Sequence, residues 1–80
     1  MIINILILNY GCEISFDENN ETLQDIINDT LIKYNVKFVY STNKMNMKKI
    51  SFISDDLHII LNEILLKISK FEILKFIYIF

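Results

Sequence analysis

Apolar and polar side chains along the first seventeen positions follow the period of an extended chain. Ile3, Ile5 and Ile7 alternate with Asn4, Leu6 and Leu8. Asn9-Tyr10-Gly11 then supplies turn chemistry, with Gly11 free to take a positive φ, and Ile14 and Phe16 alternate with Glu13, Ser15 and Asp17. This predicts a β-hairpin over the first sixteen or so residues. The period then changes. Thr22, followed three residues later by Asp25, is close to a capping box. Leu23, Ile26, Ile27, Leu31 and Tyr34 recur at helical spacing, with Gln24, Asp25, Asn28, Asp29 and Lys33 on the other side, so a helix packs on the hairpin's inner face.

Val36 to Tyr40 is β-branched and aromatic, STNKMNMK is a polar connection, and Lys48 to Ser54 reads as a further strand. Ser54-Asp55-Asp56 can cap a second helix carrying Leu57, Ile60, Leu61, Ile64, Leu65 and Ile68 on one stripe. FEILKFIYIF, broken by Lys75, suits a strand buried on both sides in mid-sheet. The order is β-β-α-β-β-α-β, an α+β chain with a mixed sheet packed on its main helix. An internal echo relates ISF…LQDIINDTLIK (Ile14 to Lys33) to ISF…LHIILNEILLK (Ile50 to Lys67), either a βα duplication or a coincidence of biased composition.

Length adds that residues 1–80 make one domain, and a 52% hydrophobic, 22% charged composition is that of a packed globule. A formal charge of −2 lacks the basic surplus that a nucleic-acid surface needs. Cys12 has no cysteine to pair with, which favours a reducing compartment. The start has no basic n-region, and Glu63, Lys67, Lys70, Glu72 and Lys75 interrupt the apolar C-terminal third well short of the ~18 residues of a span. A cytoplasmic protein or one of an organellar stroma or matrix is expected, neither secreted nor membrane-spanning. Arg, Ala, Pro and Trp are absent while Ile, Asn, Lys and Phe abound, the signature of AT-rich codons. Individual Ile and Asn residues therefore carry less information than usual.

Candidate chemistry is sparse. Cys12 and His58 are the candidates for a nucleophile and its base, but they fall on different elements without oxyanion-hole glycines. Cys12 is expected to pack as a small hydrophobe, and His58 to lie on the solvent side of the second helix. One His and one Cys do not make a four-ligand zinc site. Asp17/Glu18 and Asp55/Asp56 flank helix starts, where acids complement the dipole. Lys44, Lys48 and Lys49 with Met45 and Met47 form either a basic, adaptable contact patch or a solvated hairpin loop. No cofactor, metal or catalytic activity is expected, and the partner is another protein.

The hairpin INILILNYG, the helix entry ETLQDII, the strand FVYSTNK and the closing SKFEILKF together resemble the ubiquitin-like β-grasp proteins, and among them the thiamine-biosynthesis sulfur carriers. The resemblance covers nearly the whole chain, with an insertion of about one helical turn or more around Lys48 to Asn62. It implies a helix cradled by a mixed sheet, with the first and last strands adjacent and parallel. Those carriers work through a flexible Gly-Gly tail, whereas this chain ends Ile77-Tyr78-Ile79-Phe80. The Phe80 carboxylate is therefore the candidate carrier group, and the resemblance implies a repurposed member that contacts an activating enzyme or an assembly partner. Proteins of this kind bind partners through the sheet face that the helix leaves free. That points to Ile5 or Leu6, Phe38 or Val39, and Ile77 or Ile79; the first of each pair, Ile5, Phe38 and Ile77, is taken as the candidate surface although alternation does not fix the parity.

From Ile14 onward, LQDIINDTLIKYNVKFVY, KKISFIS and LHIILNEIL also look like the short N-terminal signalling domain of secretins and TonB-dependent receptors. That resemblance implies a β-α-β-β-α-β module with two helices on two small sheets, fused to a larger envelope protein. A structural subunit of a larger assembly is a third expectation.

Overall fold

The structure, a computed structural model, describes residues 2–43, 45–70 and 75–79. Its elements are β1 (Ile2–Leu8), β2 (Gly11–Asp17), α1 (Glu21–Lys33), β3 (Phe38–Thr42), β4 (Met47–Ile53), α2 (Leu57–Ile68) and β5 (Lys75–Ile79). The strands form one mixed sheet in the order β3-β4-β2-β1-β5. β1 runs antiparallel to β2 and parallel to β5, while β4 is antiparallel to both β2 and β3. β5 thus lies at an edge of the sheet, not in its middle as the apolar density of FEILKFIYIF suggested. A buried central strand and an edge strand can share one composition, and the place is set by connection geometry.

That geometry is simple. α1 links β2 to β3 and α2 links β4 to β5, and each linked pair is parallel. The two crossovers leave from antiparallel strands and travel in opposite directions along the sheet, so the same right-handed sense brings both helices to one face. The internal echo falls on this plan: its two ISF segments are the adjacent central strands, with Ile14 paired to Ile50. The halves β2-α1-β3 and β4-α2-β5 are therefore equivalent in topology, and β1 widens the sheet between β2 and β5.

The covered face is continuous. Ile3, Ile5, Cys12, Ile14, Phe16, Ile50 and Phe52 of the strands meet Leu23, Ile27 and Leu31 of α1 and Leu57, Ile60, Leu61, Ile64 and Ile68 of α2 in one buried cluster. Each large side chain so buried contributes roughly 1.5–3 kcal/mol. Ile26, Tyr34 and Leu65, members of the same stripes, are half-buried at its border. Ile5 is 1% exposed, so it belongs to the core and not to an interaction surface; Phe38 also turns toward the helices, packing on the core and edge-on to Tyr40 with ring centroids 5.4 Å apart.

Asparagine, more than glycine, shapes the turns. Asn9, Asn35 and Asn46 take positive φ of 58°, 57° and 59°, whereas Gly11 does not. The short polar side chain tolerates the left-handed region, which frees Gly11 to begin β2. α1 is capped by Asn20, whose Oδ1 accepts from the Leu23 amide at 3.1 Å, ahead of the expected Thr22, which is exposed. At its other end Asn35 closes a Schellman motif: its amide donates to the Ile32 carbonyl at 3.0 Å and that of Val36 to Leu31 at 2.9 Å. At α2, Asp56 occupies the N-cap without a side-chain bond, and Ser54 Oγ accepts from the Asp56 amide at 3.0 Å.

A polar seam locks the helices together. Glu63 of α2 accepts from Lys33 Nζ at 2.7 Å, from the Tyr34 hydroxyl at 3.0 Å and from Lys67 Nζ at 3.2 Å. Lys67 also donates to Thr30 Oγ1 at 3.2 Å, and the Thr30 hydroxyl donates to the Ile26 carbonyl at 2.8 Å. Hydrogen bonds from Lys33, Tyr34 and Lys67 hold the Glu63 carboxyl down at about 2. The same contacts raise Lys33 and Tyr34.

Candidate interaction face

Strand alternation that sends Ile3, Ile14 and Ile50 to the helices must send their neighbours to the opposite face. Asn4, Leu6 and Leu8 of β1, Gly11, Glu13, Ser15 and Asp17 of β2, Val39 and Ser41 of β3, and Met47, Lys49, Ser51 and Ile53 of β4 form that face. Neither helix covers it. Three of its exposed apolar groups gather at one end: Leu8 is 63%, Val39 69% and Ile53 77% exposed. Register explains the gathering, because Leu8 pairs with Gly11 and Gly11 with Ile53, while Val39 pairs with Ser51.

Beside these groups, at the end of the sheet, lies a groove of about 760 Å³ whose lining includes Leu6, Leu8, Gly11, Val36, Val39 and Ile53. A side chain at Gly11 would start 3.3 Å from the Leu8 carbonyl oxygen, a tight approach to backbone, and 3.8 Å from Ile53 Cγ1. Glu13 and Lys49 form the polar margin, 3.7 Å apart across β2 and β4. A wider depression of about 1070 Å³ occupies the other end of the face, lined by Asn4, Ser15, Asp17, Asn43, Met45 and Met47. Polar groups are more numerous at that end, where they stand beside Met45 and Met47.

Other candidate groups are not brought together. Cys12 is buried in the core, and burial, aided by the Glu13 charge, pushes its thiol up to about 12, far from thiolate chemistry. His58 is exposed on α2. Lys48 and Lys49 point to opposite faces: Lys48 turns to the helix side, donating to Gln24 Oε1 at 2.5 Å and standing 5.3 Å over the Tyr40 ring, while Lys49 meets Glu13. The two therefore share no basic patch; Lys44 lies outside the described residues. Asp17 accepts from the Asn19 amide at 2.8 Å in the turn before α1, a structural role for that acid. Among the described residues no cluster of three His, Cys, Asp or Glu side chains could hold a metal ion. No helix among them is long and apolar enough to cross a membrane.

Of the expected contact positions, the second member of two pairs is the one on the open face: Leu6 in place of Ile5, and Val39 in place of Phe38. Ile77 pairs in register with Asn4, its side chain lying outside what the structure describes, and Phe80 lies outside the described residues altogether. Leu8, Gly11 and Ile53 were missed; a turn-flanking Leu and a strand-final Ile carry no sequence mark that separates them from core positions. Comparison with known proteins found no matching family model, no matching curated protein and no matching solved structure.

Proposed function

We propose that this chain is a non-catalytic interaction domain whose working surface is the apolar end of the open sheet face. The supporting observation is the convergence of Leu8, Val39 and Ile53, each more than 60% exposed, around a groove lined also by Gly11. Exposed apolar groups scattered singly need no explanation, whereas a contiguous set beside a groove marks a contact site. A photo-crosslinking residue placed at Ile53 should capture a discrete protein partner in cells. The same residue at His58, exposed on α2, should not. Equal capture at both positions, or none at Ile53, would refute the reading.

A sulfur-carrier-like form of this proposal draws support from the parallel pairing of β1 with β5, the feature that the β-grasp resemblance implies. It has to accommodate β5 at a sheet edge and a chain without Gly-Gly. Intact-mass measurement after incubation with a sulfur-carrier activating enzyme, ATP and a sulfur donor tests it, through one sulfur-for-oxygen exchange at the Phe80 carboxylate. The envelope-signalling form draws on the β2-α1-β3-β4-α2-β5 run, but it implied two small sheets, whereas the described strands form one.

A further inference from the structure

β3 is an outer strand that lacks the devices by which edges usually avoid pairing. Its sequence FVYST contains no charge, no Pro and no Gly, and residues 39–43 are exposed. The neighbouring cations are engaged within the chain, Lys48 by Gln24 and the Tyr40 ring and Lys49 by Glu13. Lys37 stands just before the strand. Such an edge presents backbone N–H and C=O groups to an added strand, and being uncharged it meets no repulsion from its own likeness.

We propose that β3 pairs antiparallel with β3 of a second copy of this chain, across a two-fold axis at Val39, to join two sheets into one. An axis normal to the sheet keeps every side chain on its own face, so only residues of one face can stand opposite each other. With the axis at Val39, Val39 meets Val39 on the open face and Phe38 meets Tyr40 twice on the helix side, the β-branched and aromatic pairs that stabilise neighbouring strands. Lys37 falls opposite Ser41, so no like charges meet. Pairing of β3 with β5 of another copy would be head-to-tail and open-ended, whereas the two-fold closes at a dimer. The inference rests on the backbone edge of β3; Val39 belongs to both surfaces, but self-association in sedimentation and partner capture at Ile53 are separate readouts, so either reading can fail alone.

The experiment uses the whole chain. Sedimentation velocity over a concentration series should show a reversible monomer–dimer equilibrium. Val39→Cys should give a disulfide-linked dimer under mild oxidation, since facing residues of an antiparallel pair have Cα atoms about 4.5–5.5 Å apart, within disulfide reach. Ile53→Cys, exposed on the same face but one strand in from the edge, should stay monomeric on the non-reducing gel. Val39→Lys should abolish the equilibrium dimer with the far-ultraviolet circular dichroism unchanged. A wild-type monomer at every concentration, equal cross-linking of both cysteine variants, or a dimer untouched by Val39→Lys would each overturn the proposal.

Discussion

The two faces of the sheet share the same strands, yet one is sealed and the other is not. On the helix side Ile3, Ile5, Ile14, Phe16 and Ile50 are at most 1% exposed. On the other side Leu8, Val39 and Ile53 stand in solvent beside Glu13, Ser15 and Lys49. Hydrophobicity alone does not separate them, because β1 carries apolar side chains on both faces. The difference lies in arrangement: the covered face is apolar across the core, with Lys48 at its border, whereas the open face mixes exposed apolar and polar groups along its length. The covered face specifies the fold, and the open face carries the exposed apolar groups on which the proposed interaction rests.

Substitutions sharpen this contrast. Phe16→Ala, at a position 0% exposed, should cost about 3–5 kcal/mol. Against a total of roughly 0.05–0.15 kcal/mol per residue, that removes a large part of the stability, and urea unfolding measures it. Thr30→Val keeps the shape of a 0% exposed residue but deletes the hydroxyl that joins Ile26 to Lys67. The loss should be about 1 kcal/mol, seen as a melting temperature lower by roughly 4–8 °C.

The polar seam responds to pH. Glu63 is held at about 2 against an ordinary 4.5, so its contribution is fully present above pH 4.5 and fades as the pH falls toward 2. Glu63→Gln should lower the melting temperature at neutral pH and flatten its fall across that window, as thermal melts at stepped pH would show. The smallest effect is expected on the open face, where Ile53→Ser should change stability by no more than about 0.5 kcal/mol while removing partner capture. A loss there as large as that of Phe16→Ala would erase the distinction between the faces.

The sequence made the two helices and the opening hairpin legible because their periods are clean: Leu23, Ile27 and Leu31 repeat on α1, and Leu57, Ile60, Leu61 and Ile64 on α2. Thr30 was hidden in plain spacing, three residues from Ile27, because a hydroxyl reads as polar until Ile26 and Lys67 are seen to satisfy it. The strand after α1 is shifted from Val36–Tyr40 to Phe38–Thr42 because Asn35 and Val36 are used to close the helix. The parity of β1 was illegible, since Ile5 and Leu6 are equally greasy and only the helices decide between them. Sheet order was illegible for a different reason. It depends on crossover handedness and on the insertion of β1 between β2 and β5, neither of which leaves a local residue pattern. The candidate face inherits both ambiguities, which is why Leu6 and Val39 emerge only once the strands are registered.

The burial of Cys12 also turns the chain into its own clock. A thiol with its pKa pushed to about 12 and 3% exposure reacts with an alkylating reagent only when the core opens. Because Cys12 is the single cysteine, every labelled molecule records one opening of β2 against its neighbours. Labelling rate against reagent concentration therefore separates how often the sheet opens from how long it stays open, with no probe added to the molecule.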